Sequence, residues 1–314
     1  MEIELFYPNF SKKAVSFTLD DGNLKYDMPL IEIFRKHGIV GTFNLSCTRQ
    51  HLADKEKYKE IYAGFGIANH CAYHPHAFDD DIEYDIADEP FDPETADPTK
   101  IYPSGKGDGF HLWRRPLGWR RIATPERYIE SVVEASEVLE EIFERPINGY
   151  VWPFFSQNSK KVRDYVFSHF ISTRRTGAIG TGDRFNLPDT FIEWSYNATE
   201  KNLLPLAEEY MALADDGELK LFTFGVHSVD YIRAEKVDEL ESVCERFGSS
   251  PDKYYTDAVD DIFDYVTAAR SLEFGEGYVK NPSDIAVYLL VDGVKTILPG
   301  GEEINESNKS RYAV

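Results

Sequence analysis

The sequence predicts an α/β fold, with parallel strands and intervening helices forming one barrel-like sheet, and three observations carry that prediction. Runs rich in β-branched and aromatic residues recur along the chain, at Lys13–Leu19, Ile39–Leu45, Ile147–Phe155 and Leu219–Val226. Segments with helical apolar spacing lie between them. Polar residues able to do chemistry cluster where the strands end, at Asp20–Asp21 and His227, which is where α/β sheets bind ligands. The expected organisation is one catalytic domain over 1–314, with an insertion at about 79–121 and a C-terminal β extension from about 283 to 314.

Taken in order, KAVSFTL alternates apolar and polar positions as a strand does and runs straight into Asp20-Asp21-Gly22. Asp27 is placed to cap a helix whose apolar face carries Leu30, Ile31 and Phe34, with Gly38 as its stop. Ile39–Leu45 then completes a βαβ unit, which implies a parallel pair with a right-handed crossover. A helix near Ala53–Tyr62 leads to the short turn-bounded segment GFGIANHCAYHPH. Thr124-Pro125-Glu126 is a strong helix start, with a hydroxyl cap, proline at the first position and an acid near the positive dipole end. Its stripe of Ile129, Val132, Val133, Leu139, Ile142 and Phe143 ends at Arg145-Pro146. Helices are expected at Lys161–Phe170 and Thr256–Leu272, and a hairpin about Asp292-Gly293 within Ala286–Ile297.

Composition narrows the function. The chain of 314 residues is 42% apolar and 14% aromatic, enough for a large core. Its net charge of −21 argues against nucleic acid or an anionic bilayer as partner, because the phosphate term would be repulsive. Ten of the acids fall between Asp79 and Asp97, where Lys and Arg are absent. Apolar stretches are too short for a membrane span, and the N-terminus lacks the basic region of a signal peptide. Three widely spaced cysteines, Cys47, Cys71 and Cys244, suggest neither a disulfide framework nor a thiolate zinc site. A cytoplasmic protein is expected, and a homo-oligomer is compatible with all of this.

Three features converge on hydrolysis. Asp20 and Asp21 are adjacent carboxylates whose side chains diverge, which suits one metal ligand beside one general base. His70 and His74 are four apart, so a turn or a single helical turn brings both imidazoles within chelating reach. His227 follows an apolar strand. Individually each has a bland reading, as a solvated turn, a chance pair or a structural histidine. Together, one carboxylate and two imidazoles make a three-ligand set that leaves positions open on a divalent ion such as zinc. The second carboxylate can then act as base on the attacking water, and the separate histidine as acid for a leaving amine.

These residues stand in motifs that resemble those of the NodB-homology polysaccharide deacetylases, carbohydrate esterase family 4. TLDDG (Thr18–Gly22) looks like the first motif, NHCAYHPH (Asn69–His76) like the second, GYVWPFF (Gly149–Phe155) like the groove-lining third, and FGVHSVDY like the last. FNLPDTFIEW (Phe185–Trp194) and YTDAVDDIFDYVTAA (Tyr255–Ala269) look like segments of a subgroup. The resemblance implies a deformed (β/α) barrel of the NodB-homology type. It implies Asp20 as base and His227 as acid, with Asp21, His70 and His74 holding one divalent ion, zinc first, with cobalt, nickel or manganese as alternatives. It further implies substrate contacts at Trp152, Pro153 and Phe154; His76 joins them as a neighbour of the metal loop.

The chain departs from the pattern at three places. Cys71 stands where Ser or Thr usually follows the first histidine, which is expected to weaken the support of His70. Gly66 stands where a Glu is often found. The arginine that usually opens the third motif is not near Trp152-Pro153, leaving Arg174 or Arg175 to replace it from another strand end. The insertion has two readings. In one it is a lid or subunit contact whose acidic arm is neutralised by its Arg-rich arm; in the other Trp113 and Trp119 stack on sugar rings. Either way it should narrow the groove and favour a small or oligomeric, neutral or cationic sugar. The function expected is removal of an acetyl or other acyl group from an N-acetylated amino sugar. Hydrolysis of a small amide or cyclic imide is the alternative, and a carbohydrate-binding relative of weak activity is a third.

Overall fold

The computed structural model describes residues 1–116, 118–155, 157–174 and 184–314. Its centre is a curled sheet of eight parallel strands: β1 (Lys13–Asp21), β2 (Thr42–Leu45), β3 (Gly66–Asn69), β4 (Gly149–Val151), β5 (Ser172–Arg174), β6 (Ile192–Trp194), β7 (Lys220–His227) and β8 (Tyr254–Thr256). Their spatial order is β6-β5-β4-β3-β2-β1-β7, with β8 also on β1. The nine-residue β1 is the hub. It pairs with β7 from Lys13 to Asp20, with β2 from Thr18 to Asp21 and with β8 from Lys13 to Val15. Among the described residues the sheet edges meet through isolated bridges, from Ala198, just past β6, to Phe224 of β7 and from Asn186, ahead of β6, to Lys220 of β7. The barrel is therefore a half-barrel, loosely closed.

Among the described residues eight α-helices accompany the strands: α1 (Leu24–His37), α2 (Lys55–Ile61), α3 (Pro125–Phe143), α4 (Lys160–His169), α5 (Leu203–Ala212), α6 (Ser228–Arg233), α7 (Val237–Gly248) and α8 (Val259–Arg270). Helix α1 buries Leu30, Ile31 and Phe34 in a core shared with Phe17, Phe43, Phe222 and Phe224. Its cap is not Asp27, as expected. Asn23 accepts from the Lys25 N–H instead, and Asp27 lies inside the helix, buried. Only two residues, Gly22 and Asn23, separate the strand from the helix, so the helix begins earlier than its apolar stripe suggests. At α3 the expected hydroxyl cap is present, with Thr124 accepting from the Arg127 N–H.

Two additions flank the barrel. The insertion builds a four-stranded sheet in the order His76–Ala77, Gly118–Ala123, His111–Arg115 and Ile101–Pro103, so its first strand begins two residues after His74. At the C-terminus Val287–Val291 and Val294–Leu298 form the expected hairpin, with Asp292 and Gly293 both at positive φ, as a tight two-residue turn needs. A strand not anticipated from sequence, Ile3–Phe6, pairs antiparallel with Val287–Val291 and ties the two ends of the chain together. Among the described residues no helix is long and apolar enough to cross a membrane.

Candidate active site

Sheet register places the chemistry. His227 pairs with Asp20, and Asp20 with Asn44, so three polar residues stand in one row at the carboxyl ends of β7, β1 and β2. The next residue, Asp21, adopts φ 80 and Gly22 φ 72. A left-handed aspartate costs ~1–3 kcal/mol. Here it throws the chain out of the strand and turns the Asp21 carboxylate away from that of Asp20, so the two acids serve different partners.

The two histidines come together without a helix. Cys71, Tyr73 and His74 have φ of 60, 66 and 48, a run of left-handed residues that curls the loop tightly. Asn69 holds it. Its side-chain oxygen accepts from the Cys71 N–H at 2.7 Å, while its amide donates to Val132 O at 2.9 Å and Ser136 Oγ at 2.8 Å on α3. The His70 and His74 Nε2 atoms end 3.1 Å apart. Asp21 Oδ1 lies 3.6 Å from the first and 3.4 Å from the second. One ligand atom from each of the three residues falls within 4.8 Å of the others.

The chemistry of these donors fits a divalent ion. Val151 O, 2.8 Å from His70 Nδ1, can only accept, so the proton is on Nδ1 and Nε2 offers its lone pair. Burial, aided by the neighbouring His70, pushes the His74 pKa down to about 3, so its ring is neutral. For Asp21 burial acts to raise the pKa, but His70, His227 and His74 outweigh it and hold the carboxyl ionised well below its ordinary value. The expected weakening of His70 by Cys71 does not arise, because the orienting partner is the Val151 carbonyl. The Cys71 side chain points the other way, fully buried with Tyr150 and Trp152, and its thiol is pushed up by burial.

Arg174 answers the question of the missing arginine. It is 1% exposed at the end of β5, and its Nη2 donates to Asp20 Oδ1. Arg175 lies outside the described residues. Asn44 donates to the same oxygen at 2.7 Å, and no hydrogen bond among the described residues reaches Oδ2. Burial works to raise the Asp20 pKa, but Arg174, His70 and His227 together hold it below the usual carboxylate range. Gly225 makes room for this arrangement, since a Cβ there would stand 2.6 Å from Tyr196 Cδ1 and 2.9 Å from Arg174 Nη1.

On the opposite side His227 places Nε2 3.8 Å from Asp21 Oδ2. Its Nδ1 is 2.8 Å from Asp230 Oδ2, an acid on the first turn of α6 that sequence reasoning missed; the His-x-x-Asp spacing at a strand-to-helix junction was the available signal. The Asp230 hydrogen bond outweighs burial and, with Asp20 and Asp21, raises the His227 pKa to about 9. Asn44 was missed as well, because only the register shows that it faces Asp20.

The predicted substrate residues divide. Trp152 is 1% exposed, packed against Tyr150 and Phe167 inside the core, and Pro153 is buried beside it. Phe154, at φ 48, is exposed and packs edge-on over His74 with centroids 4.3 Å apart. The same ring stacks flat on His76 at 4.0 Å, and Trp113 of the insertion closes on His76 at 5.7 Å. The insertion thus reaches the segment that follows His74 through Trp113, whereas Trp119 packs with Phe91 and Tyr102 within the insertion itself.

A protein of Mycobacterium smegmatis assigned to the polysaccharide deacetylases is similar in structure, with TM-score 0.49 and 16% identity over 87% of this chain and 98% of that one. The peptidoglycan deacetylase PdaC of Bacillus subtilis gives 0.44 and 12%, over 82% and 93%. A pseudoenzyme of carbohydrate esterase family 4 from Bacillus anthracis gives 0.43 and 12%, over 82% and 67%. No curated protein matches the sequence. The family model described as polysaccharide deacetylase matches residues 8–168, which hold Asp20, Asp21, His70, His74 and Phe154. With just over half of its length matched in this way, the chain belongs to the polysaccharide deacetylase family, hydrolases that act on carbon–nitrogen bonds.

Proposed function

We propose that this protein removes an acetyl group from an N-acetylated amino sugar or short oligosaccharide, with one divalent ion, zinc first, held by Asp21, His70 and His74. The observation that carries the reading is the convergence of these ligands between an ionised carboxylate, Asp20, and a cationic imidazole, His227. When bound, the ion supplies Lewis acidity toward the acyl carbonyl and the attacking water.

The remaining chemistry is the chain's own. Asp20 takes the proton of the water through Oδ2, since Arg174 and Asn44 occupy Oδ1 and fix the plane of the carboxylate. Arg174 helps to hold the Asp20 carboxyl below its usual range, which favours the ionised form and lowers its basicity. The Asp230 bond to Nδ1 aims His227 Nε2 at the site, and the proton held there passes to the departing amine. Phe154 excludes water above His74, and the Phe154–His76–Trp113 wall offers apolar ring faces to a pyranose.

The test is turnover by the metal-loaded protein on acetylated chito-oligosaccharides beside small amides and cyclic imides. Release of acetate from the sugars with no turnover of the imides supports the reading. Imide hydrolysis alone moves the protein to the other carbon–nitrogen substrates, and sugar binding without turnover makes it a carbohydrate-binding relative.

A further inference from the structure

We propose that Asp27 is a positioning residue for His227, acting through Ser228 and helix α6; the proposal rests on the deacetylase reading above for its link to catalysis. Asp27 is 1% exposed on the first turn of α1, the helix that follows Asp20 and Asp21. Its Oδ1 accepts from Ser228 Oγ at 2.5 Å and its Oδ2 from Tyr62 OH at 2.6 Å. Ser228 is the residue after His227 and the first of α6, so the bond joins the two strand-to-helix junctions that carry the base and the acid. Among the described residues it is the one side-chain hydrogen bond between α1 and α6.

Sheet pairing alone does not supply what this bond supplies. Register sets the His227 backbone beside Asp20, but the imidazole is aimed by Asp230, which rides on α6. Helix α6 also packs through Tyr231, fully buried in the core, but that apolar contact is not directional, whereas the Ser228 hydrogen bond fixes the first residue of the helix against α1. The chain of control therefore runs from Asp27 to Ser228, through one turn of α6 to Asp230, and so to His227 Nδ1. The position is otherwise an unfavourable one for an acid. A buried carboxyl needs partners, and here both are neutral hydroxyls, while the charges acting on it, Asp21 and Asp20, are of its own sign. An apolar side chain would fill the same space with no such cost, but could not grip Ser228.

The test compares Asp27→Leu, Ser228→Ala, the double variant and Tyr62→Phe, each loaded with zinc. Asp27→Leu and Ser228→Ala are expected to lower kcat about tenfold, with KM within about twofold and zinc content equal to wild type. The double variant is expected to be no worse than either single, because both break one link, and Tyr62→Phe, which leaves the α6 link intact, is expected to retain kcat. Nuclear magnetic resonance of histidine-labelled protein provides a readout that needs no turnover: the hydrogen-bonded Nδ1–H signal of His227 is expected to broaden or shift in both single variants. A purely structural role would lower Tm while leaving kcat per zinc-loaded molecule and that signal unchanged, and this result overturns the proposal. If wild type turns over no acetylated sugar, the deacetylase reading fails by itself, and the His227 signal still decides whether Asp27 positions the ring.

Discussion

Replacing Asp230 by Asn tests how His227, the proposed acid, is tuned. Asn keeps an oxygen that can accept from His227 Nδ1–H, so the ring stays aimed while the negative charge is removed. The His227 pKa is raised to about 9 from 6.5, with Asp230 the largest cause. The sign is that of a cation gaining a partner: the protonated form is retained at neutral pH and lost as pH rises through about 9. At pH 8 a group titrating at about 9 is about 90% protonated, whereas one at 6.5 is about 3% protonated. If the protonated ring is the acid, Asp230→Asn lowers kcat/KM by up to about 30-fold at pH 8 and by less than about twofold at pH 6. Asp20 and Asp21 also raise this pKa, so 30-fold is the upper bound. The assay is a pH profile of kcat/KM for both proteins, with zinc content measured at each pH. A defect of equal size at pH 6 and pH 8, or an alkaline limb unmoved from about 9, refutes this account of His227.

Four further outcomes are expected. Asp20→Asn abolishes turnover with zinc content intact, and it lowers stability by ~3–5 kcal/mol because Arg174 loses its buried partner; equal loss of zinc would mean that the roles of the two acids are misassigned. His70→Ala removes stoichiometric zinc, read by metal analysis, and activity with it; undiminished metal would rule out the site. Gly225→Ala drives a methyl into Tyr196 and Arg174, so kcat falls while zinc content holds, and an unchanged kcat would show that Arg174 can move freely. Burial raises the Asp260 pKa to about 7, so the folded state holds a proton that the unfolded state releases near 3.8. Stability from this group therefore declines as pH rises from about 4 to 7, and Asp260→Asn should flatten that part of a chemical-denaturation profile.

Much of the site was legible because its residues are close in sequence. Asp20 and Asp21 end an alternating strand, and His70 and His74 share one short loop, so strand period and ligand spacing were enough to bring them into one hypothesis. The conformation of that loop was not legible. A four-residue spacing is satisfied by a helical turn or by the left-handed curl that occurs here, and the choice depends on Asn69 reaching α3. Asp27 read as a helix cap because its spacing from Leu30, Ile31 and Phe34 suits one; its actual partners, Tyr62 and Ser228, are 35 and 201 residues away.

The sequence by itself determined the alternation of strands and helices, the acidic turn at the end of the first strand, the candidate ligands and the family resemblance. These are local properties, written in periodicity, turn residues and short motifs. Tertiary structure decided which arginine bonds Asp20, that Cys71 faces the core and not His70, that Trp152 is buried while Phe154 packs over His74, and that Asp230 bonds His227. Each of these depends on which strand lies beside which, and on the direction a side chain takes at the strand end. Arg174 reaches Asp20 across 154 residues of chain only because the curled sheet aims the end of β5 at the end of β1.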